Sequence, residues 1–246
     1  MKREFKGQIC AYCSVRVSKT DDHVFAAKFF LERHRDKTLP KAPACKPCNG
    51  TKCALENYLT AVLPLGGRHE HALENLEVNV PGRVAGNLKL ARELSTSTQP
   101  AWLKEGDGLY LPTSMMPFDL QKLAMLLKYI GRGLAWYHWR VYVPAHGFVG
   151  VLFPADSHSA ILPGLLQPDN FPIRISQSIG NDTIRYEGMQ ASDPATLTVW
   201  KVMMYGGVVL GSDKRSGGEP SEARSQWWIV TGPPELRDRW TEFLKK

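Results

Sequence analysis

Four of the five cysteines fall in two C-x-x-C pairs, Cys10/Cys13 and Cys45/Cys48. Four soft thiolates in two such pairs are the donor set of a tetrahedral Zn²⁺ site, at about 2.3 Å per sulfur. A site closed by four sulfurs has no open position, so a zinc held there is structural. Two disulfides or a redox C-x-x-C are the alternatives, but nothing else in the chain points to an oxidising compartment, and no thioredoxin-like βαβ context surrounds either pair. The stretch between the pairs, Ser14 to Ala44, exceeds the roughly 15 to 20 residues usual between C-x-x-C pairs. It contains the chain's only adjacent Asp-His pair, Asp22-His23, and the second cysteine pair runs directly into Asn49-Gly50-Thr51-Lys52. Cys53 comes too soon after that pair to share the tetrahedral site and reads as a small buried residue.

D-H-V at Asp22 to Val24, followed some way on by A-C-x-x-C-N-x-x-K at Ala44 to Lys52, resembles the HNH endonuclease family, whose catalytic unit is a ββα-metal finger. The resemblance covers residues 8 to 63. It implies that the Asp-His pair ends the first strand of a hairpin and that the C-x-x-C-N leads into a helix packed across it. It further implies His23 as general base, with Asp22 and Asn49 holding a catalytic divalent metal. An imidazole with an ordinary pKa near 6.5 accepts a proton from water at neutral pH. Mg²⁺ or Mn²⁺, suited to hard oxygen donors, neutralises charge on the phosphoryl and leaving oxygens. Neighbours in a regular strand face opposite sides, so the chain must bulge or turn for Asp22 and His23 to meet one phosphate; by alternation alone Asp21 shares a face with His23 and is the rival ligand. Many members of the family also carry an asparagine about five residues before the second cysteine pair, though others have the shorter pattern. That position falls near Pro40 here, and no asparagine occurs between Ser14 and Ala44; this departure motivates a reading in which catalysis is lost.

Charge is unevenly placed along the chain. Residues 1 to 67 hold 12 Lys+Arg against 6 Asp+Glu, net +6, while residues 68 to 246 hold 19 against 18, net +1. A basic surface attracts phosphate backbone through counterion release. Lys52, Lys46, Lys41 and Lys19 are the candidate substrate contacts, with Lys28, Arg33, Arg35 and Lys37 in reserve. The bland reading of each single cation is a solvated face.

The elements that must position these residues follow from pattern. Ala26 to Arg35 reads as a short helix or irregular connector anchored by Phe29 and Phe30, with His34 solvent-exposed among charges. Thr38 to Ala44, with Pro40 and Pro43, is extended. From Asn49 a helix through about Leu63 has Leu55, Tyr58, Leu59 and Val62 as its apolar face. Asn49, Lys52, Cys53 and Glu56 share one side of that helix, facing the hairpin. Pro64-Leu65-Gly66-Gly67 ends it and sets a domain boundary. Beyond it, His71 to Leu94 reads as helix in two pieces broken at Pro81-Gly82, with Leu88, Leu90 and Leu94 in the core. His69 and His71, two apart, do not form a metal pair. Ser95 to Pro112 reads as a loop and Asp119 to Val141 as a long amphipathic helix, whose Trp136, Tyr137 and Trp139 are core aromatics. Residues 147 to 154 and 159 to 166 suggest a strand and a short helix. Pro172 to Tyr186, Thr196 to Leu210 and Gln226 to Thr231 form an antiparallel sheet, interrupted by a polar, mobile excursion at Ser212 to Ala223. Glu235 to Lys246 closes the chain as a helix. Asp156-Ser157-His158 is an accident of composition.

The expectation is therefore an α+β protein in two units: a zinc-stabilised ββα-metal finger at 1 to 67, and a larger α+β domain at 68 to 246. DNA binding, homodimerisation and regulation are the roles open to the second unit. No secretory signal, no stretch of 18 apolar residues and no nucleotide-binding loop is present, so a cytoplasmic protein is expected. The expected activity is metal-dependent phosphodiester hydrolysis in DNA. A catalytically inactive zinc-stabilised nucleic-acid-binding or adaptor protein, or an RNA-directed nuclease, are the alternatives.

Overall fold

The computed structural model describes residues 4–104, 108–115, 118–153, 170–208 and 226–243. Strands β1 (Thr20–His23) and β2 (Lys41–Ala44) pair antiparallel, in the register Thr20 to Ala44 and His23 to Lys41. Pro43 sits in β2 opposite Asp21, a place open to proline because a two-stranded ribbon has a free edge. The connector between the strands makes two single 3₁₀ turns, Ala27–Phe29 and Glu32–His34, and buries Phe29 and Phe30 as expected. Helix α1 (Lys46–Val62) follows at once, with Cys45 as N-cap residue and Pro47 in its first turn, where its missing N–H costs nothing. Its apolar stripe, Leu55, Tyr58, Leu59 and Val62, is buried.

The chain then turns at Gly67, where a Cβ would lie 2.5 Å from that of Ala72 and 2.8 Å from that of Tyr205. The amides of Arg68 and His69 both donate to the Tyr205 carbonyl, so the segment after α1 is stitched to the C-terminal sheet. Helix runs from α2 (Glu70–Glu74) through a π-helical turn (Asn75–Asn79) into α3 (Val80–Ala85). The expected break at Pro81-Gly82 is absent, because Pro81 falls in the first turn of α3, where it need not donate. The chain breaks instead at Gly86-Asn87, where Asn87 caps α4 (Leu88–Ser97) by accepting from the Leu90 amide. Of the three expected core leucines, Leu90 is buried and Leu94 packs on the core, but Leu88 is 72% exposed.

The span expected as a loop holds an antiparallel ribbon, β3 (Gln99–Lys104) and β4 (Tyr110–Met115). Helix α5 (Leu120–Trp139) begins at Asp119, whose carboxylate accepts from the Lys122 amide, and ends at Arg140 with φ +55°. The remaining strands β5 (Phe148–Leu152), β6 (Ile173–Ile179), β7 (Ile184–Gln190), β8 (Thr198–Met204) and β9 (Trp227–Gly232) form a five-stranded antiparallel sheet in the order β5-β9-β8-β7-β6. Helix α6 (Leu236–Phe243) follows. The expectations at 159 to 166, at Asp156-Ser157-His158 and at Ser212 to Ala223 lie outside the described residues.

Helix α5 joins the two halves. It packs against α1 and β2 on one side and against β5, β8 and β9 on the other. Two glycines make the double approach possible. At Gly131 a Cβ would come within 2.6 Å of Ile229 in β9, and at Gly133 within 3.0 Å of Val24 and 3.2 Å of the Tyr12 ring. One hydrophobic core therefore runs without interruption from Phe5, Tyr12 and Phe25 through Leu126, Ile130 and Leu134 to Trp200 and Ile229. It crosses the boundary expected at Gly67. Trp136 is buried in this core, and Tyr137 and Trp139 pack on it. Among the described residues no helix is long and apolar enough to cross a membrane.

Candidate functional site

The first cysteine pair lies in a tight loop that returns on itself: the Cys10 amide donates to the Arg16 carbonyl, and the Ser14 amide donates back to Cys10. The Ala11 amide donates to Pro43, which holds this loop against β2 just ahead of the second pair. Cys10, Cys13, Cys45 and Cys48 consequently bring their four sulfurs within 4.8 Å of one another, with Cys10 and Cys45 buried. No disulfide joins them. Edges of a zinc tetrathiolate tetrahedron are about 3.8 Å at 2.3 Å per bond, so the cluster can hold one zinc ion with small side-chain adjustments. Burial raises the Cys10 thiol. Burial, the Cys45 thiol and the other two thiols push Cys48 up, whereas at Cys13 burial is outweighed by hydrogen bonds from the Arg16 and Val15 backbone and from Cys10 and Cys48, which bring the thiol down to about 7. Packed thiols resist joint deprotonation, and a divalent cation reverses that resistance. Cys53 is exposed, contrary to the expected burial: its position on α1 lies on the flank of the stripe defined by Lys52 and Glu56.

The bulge expected at Asp22-His23 is absent: the pairing with β2 runs one-to-one from Thr20 to His23, so the hairpin places Asp22 and His23 on opposite faces. Asp22 turns toward α1. Its Oδ2 accepts from the Tyr12 hydroxyl at 2.5 Å and lies 3.0 Å from Lys52 Nζ. Asn49, at the start of α1, donates through Nδ2 to Thr20 Oγ1 at 3.3 Å. Each of these two side chains is thus anchored through one polar atom. The second, Oδ1 in both, makes no hydrogen bond among the described residues. Asp21, the rival ligand, is engaged elsewhere: its two carboxylate oxygens accept from the Glu4 and Phe5 amides at 2.7 and 2.9 Å, tying down the amino-terminal turn.

His23 is half-buried on the other face, opposite Lys41, and its ring forms no hydrogen bond among the described residues. Burial, then the charges of Lys41, Lys52 and Arg35, lower its pKa against the opposing pull of Asp22. The imidazole is therefore neutral at pH 7, the form in which it accepts a proton.

Lys52 is fully buried. Its ammonium donates to the His23 carbonyl at 2.6 Å and pairs with both Asp22 and Glu56. Thus Lys52 is directed inward and presents no charge to solvent. Glu56, buried beside it, has its pKa raised to about 7 by burial, with Lys52 acting against the rise. Of the other expected contacts, Lys46 and Lys19 are exposed and Lys41 is half-buried. Arg33 pairs with Glu74, Arg35 lies 3.7 Å from Glu32, and Lys28 donates to Asn57.

Tyr12 escapes sequence reasoning although it lies inside the first C-x-x-C. No pattern indicates that its hydroxyl reaches Asp22 across the hairpin. A second cluster also forms only in space. His34, expected in solvent, is half-buried with its ring stacked on His71 at 4.1 Å, and the His69 ring meets that of His71 edge-on at 4.3 Å. His71 Nδ1 meets Thr183 Oγ1 at 2.7 Å. The cysteine group alone meets metal-ligand spacing among the described residues.

No family model, no curated protein and no solved structure matches this chain.

Proposed function

We propose that the chain is a metal-dependent endonuclease of the HNH type, hydrolysing phosphodiester bonds in DNA on a finger clamped by structural zinc. The observation that carries the reading is an imidazole, neutral and without a hydrogen bond among the described residues, next in the chain to a carboxylate that, like the Asn49 carboxamide, keeps one oxygen free of hydrogen bonds among those residues. Since the imidazole and these oxygens lie on opposite faces of β1, the reading requires the strand to bulge at Asp22-His23 when substrate binds. His23 takes the proton of the attacking water. Tyr12 and Lys52 hold the Asp22 carboxylate, and Thr20 holds the Asn49 carboxamide, so both side chains are oriented through their other atom, as ligand side chains ordinarily are. A hard divalent cation, Mg²⁺ or Mn²⁺, fits one carboxylate oxygen and one amide oxygen completed by water, and when bound supplies charge neutralisation on the phosphoryl and leaving oxygens. Lys41 and Lys46 are the finger's outward cations for the backbone, while Lys52 acts inside it.

A second reading has its own support. Lys52 already sets a positive charge against Asp22, so the hairpin is electrostatically complete as it stands, which suits a zinc-stabilised nucleic-acid-binding or adaptor protein. One experiment separates the two: plasmid and RNA substrates incubated with the full chain and its His23→Ala variant in Mg²⁺ and in Mn²⁺. The nuclease reading expects the variant to be slower by at least about 10²-fold. Equal products from both proteins would mean a contaminant, and no products over the whole metal range would leave the adaptor. Cleavage of RNA with DNA untouched would move the activity to RNA.

A further inference from the structure

We infer that the cleft between the first cysteine loop and α5 binds a backbone phosphate of a nucleic-acid strand, making α5 of the C-terminal half part of the substrate grip. The inference rests on the nucleic-acid reading above. The cleft measures about 410 Å³, within the ordinary range of ligand sites, and is lined by Arg16, Lys128, Arg132, Tyr12 and Tyr129 among others. Arg132 is a fixed positive floor, since its guanidinium donates to the Val143 carbonyl at 2.6 Å and to Pro144 at 3.3 Å. Arg16 and Lys128 are exposed above it and have no carboxylate partner among the described residues. The residues lining the cleft include these three cations and no Asp or Glu. Cations gathered around a concave site focus potential on an anion.

The half-buried ring of Tyr129, packed edge to face on the buried Tyr12 ring at 5.2 Å, gives such an anion an aromatic neighbour suited to a base or sugar. Tyr12 also joins the cleft to the candidate site: its ring lines the one and its hydroxyl reaches Asp22 in the other. A competing use of these cations is as counter-ions, because a zinc tetrathiolate carries two net negative charges and Cys13 and Cys48 line the same cleft. Three cations exceed that need by one, and Arg132 already faces the thiols.

The test uses the full, zinc-loaded chain in a His23→Ala background, with labelled single- and double-stranded DNA titrated over a range of salt. Arg16→Glu with Lys128→Glu is expected to weaken binding about 10-fold or more at low salt. It should also flatten the log-affinity against log-salt slope by about one, the share of the single phosphate no longer neutralised. Zinc content and melting temperature should stay at parental values. Arg16→Gln with Lys128→Gln should flatten the slope in the same direction, which covers the case of a charge-reversed protein that folds poorly. Unchanged affinity and slope in either pair overturns the inference, as does zinc loss in step with affinity, the mark of counter-ions. An acidic peptide that binds with this charge dependence where DNA does not also overturns it. A parental protein that binds no nucleic acid at all sinks the proposed function itself, whereas parental binding indifferent to these charges sinks only the cleft.

Discussion

Lys52 holds its ammonium among oxygens of Asp22, Glu56 and the His23 backbone, out of reach of solvent. Desolvating such a charge is expensive, and only its partners compensate it. Lys52→Met should therefore leave two buried carboxylates unpaired and cost roughly 3–5 kcal/mol of unfolding free energy, measurable by denaturant titration. The same substitution frees the His23 carbonyl. Glu56 makes a separate expectation with its sign fixed. Its folded pKa is raised from 4.5 to about 7, so the folded state favours the protonated acid and loses stability as pH rises between these two values. Glu56→Gln should remove that loss: the difference in unfolding free energy between variant and parent should grow by on the order of 1–3 kcal/mol from pH 4.5 to 7.5. An unchanging difference over that range would mean the carboxyl does not titrate there. Sequence spacing put Lys52 and Glu56 on the hairpin side of α1, and they are there. It could not show that Lys52 points inward, because helical periodicity gives a residue's side but not its partner across the gap.

At the scale of elements, α5 wedges between finger and sheet on the strength of two missing side chains. Gly131→Val should force the helix away from Ile229 and cost about 1–3 kcal/mol as overpacking, read as a lower melting temperature. The expectation fails if the melting temperature holds. This helix was legible from its broad apolar stripe and its Asp119 cap, as was α1 from its four buried apolar residues. The β3–β4 ribbon was not. Gln99-Pro100 and the turn-forming residues around it look like loop chemistry, and Trp102, Tyr110 and Leu111 in these strands are exposed, so no buried stripe marks them. The helix through Pro81 was misread for a related reason: proline marks a break in a continuous ladder, and here a π-helical turn ends before it. The stacked histidines were invisible because His34 and His71 belong to segments 37 positions apart in the chain, joined only when the connector folds over α2.

At the scale of the whole molecule, the two expected units share one core. If that core is cooperative, stripping zinc with a strong chelator should shift a single calorimetric transition of the entire chain downward. Two transitions, one of them insensitive to chelator, would show that the halves unfold separately. The charge asymmetry between residues 1–67 and 68–246 was readable from composition, but composition could not show that the neutral half lends α5, with its cations and no acids, to the basic side. The seam at α5 has a practical consequence for anyone wishing to transplant the zinc module. Cut after Gly67, the excised piece would expose Val24, Leu59 and the Tyr12 ring to water, an oily scar inviting aggregation, so a portable version has to bring the twenty-residue helix along or replace its greasy side with a new lid.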